Sequence, residues 1–351
     1  MTEQTVTKET KAGVVVIGRN EGERLKRCLA SVLAQHRGPI VYVDSGSTDG
    51  SVEHAKSVNV EVVALDMTRP FTMARGRNAG LDYLLEHYPD CEFVQFVDGD
   101  CEVAAEWIER GLQFLEQHPD YAGVCGNRSE RYPQATIYNR LIAMEWQGSE
   151  GEVDACGGDA MYRVGPLIAE QGFNSSMIAG EEGELCLRLR DSGFVINRLN
   201  IPMTLHDADM HRFIQWWYRA VRCGHAYAQG FDLHRHHPEG YKRRQVVSSL
   251  VYGLFCPVLL LLLLILSVTQ TFSLLPQLFI LTAVLFVASL YIRIIEKGFR
   301  SRFALGNAGA QALLYGLFIA LGKLPEAQGV CKYYFNKMRG VTAKIIEYRT
   351  S

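Results

Sequence analysis

From Gln245 to Ile292 the chain carries no charged side chain, and within that stretch lies the run Val258-Leu259-Leu260-Leu261-Leu262-Leu263-Leu264-Ile265-Leu266. A water-soluble domain does not leave so long a segment uncharged, whereas a bilayer demands it. Two membrane-spanning helices are predicted, near Val246 to Val268 and Leu274 to Ile292. Their connection, Thr269-Gln270-Thr271-Phe272-Ser273, has no charge, while both outer flanks are basic. The positive-inside rule therefore places residues 1–245 and the Arg293 to Arg302 loop in the cytoplasm, with the spans in the cytoplasmic (inner) membrane. A third apolar segment, Phe303 to Gly322, either crosses or lies re-entrant or in-plane. Crossing would carry the basic tail with Lys332, Lys337, Arg339 and Lys344 outside, against the same rule.

The charge follows this division. Lys242, Arg243 and Arg244 contribute +3, Arg293 to Arg302 contributes +4 − 1, and Lys323 to Ser351 contributes +6 − 2; the whole chain is −2, so residues 1–241 carry about −12. An acidic domain with basic membrane flanks excludes nucleic acid as the expected partner. If such a domain binds an anionic ligand, it needs local positive charge from a metal or from placed arginines. The nine cysteines show no zinc spacing, which predicts reduced thiols in a cytosolic compartment. The polar first dozen residues predict no signal peptide.

Apolar runs at Gly13 to Gly18, Ile40 to Asp44, Val60 to Leu65 and Phe93 to Val97 read as strands. They alternate with helical segments near Leu25 to Leu33, Met73 to Glu86 and Ala104 to Glu116. This rhythm predicts an α/β, Rossmann-like, mainly parallel sheet with helices on both faces. Ligands in such sheets sit at the carboxyl ends of the strands, where the polar motifs of this chain lie. Met210 to Gly230, with Phe213, Trp216, Trp217, Arg219 and Arg222, reads as an interfacial helix or as a docking helix of the soluble domain. The expected organisation is a polar tail at 1–11, an α/β domain at 12–210, an interfacial segment at 211–245, an α-helical membrane region at 246–322 and a basic amphipathic tail at 323–351.

Four motifs occupy the strand and helix ends. Asp98-Gly99-Asp100 follows a buried strand and offers hard oxygen ligands to a divalent cation, although it would also serve as a polar turn. Asp44-Ser45-Gly46-Ser47 ends another strand, where an Asp can accept from a base N–H. Ala74-Arg75-Gly76-Arg77-Asn78-Ala79-Gly80 opens a helix with positive charge, contrary to the helix dipole unless an anion is near. Gly180-Glu181-Glu182-Gly183-Glu184 gathers three acids that raise one another's pKa, which suits a general base or an exposed helix start. His206 is a third metal-ligand candidate or a core histidine.

In this order, over roughly residues 12 to 230, the motifs resemble the family 2 glycosyltransferases with the GT-A fold, and in particular membrane-anchored bacterial members that build surface polysaccharides. The resemblance implies that Asp44 contacts the base, with Glu21 and Ser47 beside it. It implies Arg77, and more weakly Arg75, as nucleotide contacts. It implies Asp98 at the ribose and cation, and Asp100 as ligand of Mg2+ or Mn2+, joined in some relatives by a histidine such as His206. Glu182 stands where the family's general base is an Asp, with Glu181 or Glu184 as alternatives. Asp159 in Gly157-Gly158-Asp159-Ala160 falls on the acceptor side. Gln215-Trp216-Trp217-Tyr218-Arg219 does not fit the spacing of the processive synthases, so transfer of a single sugar is expected. The expected activity is inverting transfer from a nucleotide-diphosphate sugar, UDP ahead of GDP, to a polyprenyl-linked saccharide at the lipid bilayer, with help from Arg219 or Arg222. The rival readings are a sugar nucleotidyltransferase, for which Gly18-Arg19-Asn20-Glu21 lacks the Gly-rich phosphate loop, and a non-catalytic membrane scaffold.

Overall fold

The computed structural model describes residues 11–269, 274–342 and 344–347. Most of the expected polar tail, the Gln270 to Ser273 connection and the last four residues lie outside the described residues. Two compact units divide the chain, the first ending at Asp209 and the second beginning at Met210.

The first unit is built on nine strands: β1 (Ala12–Gly18), β2 (Ile40–Asp44), β3 (Glu61–Ala64), β4 (Phe93–Asp98), β5 (Cys101–Val103), β6 (Tyr121–Glu130), β7 (Gly151–Glu152), β8 (Ala160–Arg163) and β9 (Val195–His206). Seven helices connect them: α1 (Glu23–Gln35), α2 (Ser51–Ser57), α3 (Met73–His87), α4 (Trp107–Gln117), α5 (Ile137–Glu145), α6 (Val164–Ala169) and α7 (Glu181–Asp191). The strands run in the order β3-β2-β1-β4-β8-β6-β9-β5, with β7 added beside β9. Pairing is parallel from β3 to β4. The expected mainly parallel sheet therefore holds for this half. The antiparallel β8 then enters between β4 and β6, and β5 also runs antiparallel to β9. The result is a mixed α/β sheet. In β1, β2 and β4 nearly every residue is buried, because helices cover both faces and no position faces water.

Packing of α3 on this sheet requires the glycine of its opening motif. A Cβ on Gly80 would come within 2.3 Å of Val15 Cγ1 and 3.0 Å of Val43 Cγ2, so the helix axis approaches the strands only where a side chain is missing. Thr72 caps the same helix by accepting from the Arg75 N–H, and Asn78 ties it to the 173–175 loop through Phe173 and Ser175.

Along β6 and β9 the register slips. Cys125 faces Arg198 and Arg128 faces Thr204, so β9 uses six residues where β6 uses three. From there the pairing is regular, with Glu130 opposite His206. Irregularities of this kind sit at sheet rims and re-aim side chains.

The second unit is helical: α8 (Phe213–Leu233), α9 (Arg243–Leu250), one π-helical segment (Val251–Phe255), α10 (Cys256–Thr269), α11 (Leu274–Phe303) and α12 (Gly309–Met338). Two stretches, Arg243–Ser267 and Gln277–Phe303, are long and apolar enough to cross a bilayer, and only 17% and 6% of their apolar windows are buried within the protein. Side chains such as Leu261, Leu264, Phe279 and Phe286 point outward, as lipid contact requires. α12 packs against its neighbours through missing side chains. A Cβ on Gly224 of α8 would meet the Glu326 carbonyl oxygen at 2.0 Å, and one on Gly316 would meet the Ile295 carbonyl oxygen at 2.4 Å. Such close approach of helix backbones is typical of membrane bundles. Glu326 of α12 accepts from Ser249 of α9 at 2.7 Å and pairs with Lys323 at 2.7 Å.

Candidate active site

The carboxyl ends of β1, β2, β4, β6 and β9 form one rim in the first unit. Ile17 is in register with Asp98, and Gly18 with Asp44, so Asp44 and Asp98 stand one strand apart on either side of β1, about 10 Å from each other. Asp44 is buried; its Oδ1 accepts from the Tyr42 hydroxyl at 3.0 Å and its Oδ2 from the Gly46 and Ser47 N–H groups at 2.9 Å each. Ser47 Oγ accepts from the Asn20 N–H, and Asn20 Oδ1 from the Thr48 N–H, lacing the β1 and β2 loops together. Glu21 pairs with Arg24 at 2.9 Å on the same edge.

Asp100 leads into β5, and in the β5–β9 ladder Cys101 faces His206. This register carries Asp100 Oδ2 to 3.3 Å from His206 Nε2. The other imidazole nitrogen, Nδ1, lies 3.1 Å from Glu130 Oε2, and Glu130 also accepts from the Ala208 N–H and the Asn139 amide. An imidazole that donates from Nδ1 to a buried carboxylate turns the lone pair of Nε2 toward Asp100. Lone pair facing carboxylate is repulsive unless a cation or a proton lies between them. Ligand atoms of Asp100, Cys101 and His206 all lie within 4.8 Å of one another. A hard carboxylate oxygen and an imidazole fixed by an outer carboxylate fit a divalent cation.

Beside this pair lies a buried ionic cluster. Arg77 is 1% exposed; its Nη1 donates to Glu181 Oε1 at 2.5 Å and its Nη2 to Asp98 Oδ1 at 2.8 Å, with Glu182 Oε1 at 3.8 Å. Burial works against the guanidinium charge, but Asp98 and Glu181 more than offset it and hold its pKa above the usual arginine value. Arg128 Nη1 sits 3.5 Å from Asp98 and 3.4 Å from Asp159. Asp159 is fully buried; Oδ1 accepts from the Asp98 N–H and Oδ2 from the Thr204 hydroxyl, each at 2.8 Å. Gly158 must be glycine, since a Cβ there would fall 2.3 Å from Arg77 Nη2 and 2.8 Å from Asp98 Oδ2. Desolvation, then Asp159 among the neighbouring acids, raises the pKa of Asp98 against the opposing pull of Arg77 and Arg128.

The three acids opening α7 separate sharply. Glu184 is buried and bonded to Arg188 at 3.0 and 2.8 Å, which removes it as a base. Glu181 is fully buried against Arg77, with Oε2 lacking a partner, and desolvation together with Glu182 pushes its pKa up to about 7. Glu182 keeps 20% of its side chain exposed and is the acid that reaches the rim surface.

Arg77, expected at the nucleotide, is enclosed by carboxylates and holds Asp98 and Glu181 in place. Arg75 donates to the carbonyl oxygens of Asp66, Arg69 and Pro70 and so braces the loop before α3. Asp159, expected on the acceptor side, has both oxygens engaged, by the Asp98 N–H and the Thr204 hydroxyl. Glu181 likewise has no open face for an acceptor hydroxyl. Arg219 and Arg222 lie on α8 of the second unit.

Sequence reasoning missed Arg128, Glu130, Trp146 and Thr204. The Arg128 guanidinium lies 4.6 Å over the Trp146 ring, whose edge meets His206 with centroids 4.5 Å apart. None of the four belongs to a motif; β6 and β9 bring Arg128, Glu130 and Thr204 together by their pairing.

Residues 13–168 match the family described as Glycosyl transferase family 2. Glycosyltransferase AglE of Haloferax volcanii is 24% identical over 210 residues, an alignment covering 56% of this chain and 66% of that protein, just under two thirds of its length. Mannosyltransferase PcManGT from Pyrobaculum calidifontis, solved in complex with GDP-Man and Mn2+, superposes with a TM-score of 0.58 at 16% identity, covering 94% of this chain and 89% of that chain. S. aureus TarS 1-349 in complex with UDP gives a TM-score of 0.48 at 15% identity over 93% and 92% of the two chains. Residues 13–168 thus carry the sequence pattern of the family 2 glycosyltransferases, and the mixed α/β sheet with its acidic rim shares its fold with PcManGT.

Proposed function

We propose that this protein transfers one sugar, with inversion, from a nucleotide-diphosphate sugar to a lipid-linked or other glycan acceptor at the cytoplasmic face of a membrane. The observation that carries the reading is the convergence of Asp100, His206 and the partly exposed Glu182 on a single rim around the Arg77–Asp98 pair. The likeness to PcManGT, solved with GDP-Man, supports a nucleotide-diphosphate sugar as donor, and the apolar stretches of α9–α11 support a membrane-borne acceptor such as a polyprenyl-linked saccharide.

Asp44, with Glu21 and Ser47, forms the base end of the donor site, and Asp98 the ribose end. Asp100 and His206 would hold Mg2+ or Mn2+, whose chemistry is to neutralise charge on the leaving diphosphate. Glu182 accepts the proton of the acceptor hydroxyl while its oxygen bonds to the anomeric carbon and the bond from that carbon to the diphosphate breaks. Arg77 fixes Asp98 and Glu181, leaving Glu182 as the base with an open path. Holding the acceptor at the bilayer raises its effective concentration at this rim.

The test is thermal stabilisation by UDP and GDP with and without Mn2+, coupled to product analysis. A native-state ligand raises apparent stability by mass action. The expected result is a Mn2+-dependent shift that Asp100→Ala removes, and release of a nucleoside diphosphate during turnover. Glu182→Gln should keep the nucleotide shift and lose about 10²–10⁴ in kcat. Release or consumption of pyrophosphate would replace this reading with nucleotidyl transfer, and no shift with either nucleotide would leave a scaffold.

A further inference from the structure

Next to the Asp100–His206 pair the first unit holds a cleft of about 240 Å3 whose lining includes Arg128, Glu145, Trp146, Cys156, Asp159 and Arg198. Its size is below the roughly 300 Å3 at which pockets for drug-sized ligands begin, and suits one sugar ring. Two guanidiniums face it. Arg128 is balanced by Asp98 and Asp159, although its Nε has no partner.

Arg198 differs. It is half-buried on β9, and among the described residues no carboxylate lies within ion-pair distance of it. Its Nε and Nη2 donate to the Asn127 side-chain carbonyl at 3.2 and 3.0 Å, and Nη2 to the Trp146 carbonyl oxygen at 2.9 Å. Every one of these acceptors is neutral. A Cβ on Gly148 would come 2.6 Å from Nη1, so the chain leaves room for this guanidinium at the cleft wall. With no carboxylate at ion-pair distance, this guanidinium keeps its charge available to a ligand in the cleft, although Glu145 and Asp159 line it too. Arg presents a donor fork matched to carboxylate and phosphate oxygens.

We propose that this cleft is an acceptor subsite that selects a saccharide carrying an oxyanion, held by Arg198 with Arg128 beside it while the ring lies against Trp146. The inference rests on the glycosyl-transfer reading, and deepens it by giving the acceptor a charge. The donor diphosphate has its own place at Asp100 and His206, so the oxyanion belongs to the other substrate.

The experiment measures, on the full chain saturated with Mn2+ and whichever of UDP or GDP stabilises it, the Kd of three probes: glucose 1-phosphate, glucuronate and glucose. Binding of at least one anionic probe about tenfold or more tighter than glucose is expected, and which one binds separates a phosphate from a carboxylate source. Arg198→Gln should reduce that preference by about tenfold or more, the loss of a hydrogen bond to a charged group, while Arg198→Lys retains most of it. The nucleotide shift measured on each variant reports that the fold is intact. Equal affinity for the anionic and neutral probes, or an Arg198→Gln variant that binds the anion as well as the parent, would assign Arg198 to bracing Trp146 alone and overturn the subsite. A probe that displaces the nucleotide would do the same, by moving the cation into the donor site. Absence of any nucleotide shift in the parent protein would instead remove the glycosyl-transfer reading, and the subsite with it.

Discussion

Glu181 and Glu182 are adjacent in the chain and chemically opposite in the fold: one is sealed against Arg77, and the other reaches the rim. Because the Glu181 pKa rises from 4.5 to about 7, the native state holds more protons than the unfolded chain between those values. Its contribution to stability is therefore fullest at the acid end and is lost as pH rises through 7. Glu181→Gln should flatten that part of the stability profile, which a thermal denaturation series from pH 4 to 8 would show; an unchanged slope would mean that Glu181 ionises normally. The motif residues were legible because each lies at a strand or helix end and brings its neighbours with it, as Asp98-Gly99-Asp100 does. Which of them face solvent was not. Arg77 reads as a nucleotide contact or a solvated helix start, and its partner Glu181 lies 104 residues later, beyond the reach of any local pattern. Arg128, Glu130 and Thr204 carry no local signature, since their importance comes from pairing β6 with β9.

At the scale of elements, the parallel half of the sheet was readable from continuous apolar runs, but β8 was not. Four residues between a glycine loop and a short helix leave no periodicity to detect, and its antiparallel direction is set by its partners β4 and β6. Gly80 was noticed as part of a motif, and its physical reason appears only with α3 laid on β1 and β2. Gly80→Ala should destabilise the first unit by about 1–3 kcal/mol through overpacking against Val15, measurable by chemical denaturation, whereas a neutral effect would show that α3 can lift off the sheet. The third apolar segment was left between two readings. In the structure α12 begins at Gly309 and meets Lys323 and Pro325 within its length. Its apolar part is thus shorter than the roughly 20 residues that a span requires. That length favours the in-plane or re-entrant reading over a crossing. A tag appended after Ser351 should then be accessible from the same side as one at the amino terminus in sealed vesicles; opposite sidedness would make α12 a third span.

For the whole molecule, the chain divides into an acidic α/β unit and a helical unit with basic flanks and two apolar stretches, a division of labour that suits the proposed transfer at a bilayer. The rim itself depends on counting. Successive residues of a strand alternate between faces, and His206 meets Asp100 and Glu130 only because β9 reaches the rim in phase with β5 and β6. The extra residues that β9 takes up between Arg198 and Thr204 set that phase. Chain length there acts as a parity bit. Gaining or losing one residue would turn His206 to the opposite face and exchange it with Leu205, whereas a change of two would restore it. The distance between Arg198 and His206 is thus constrained as an even or odd number before it is constrained as a length.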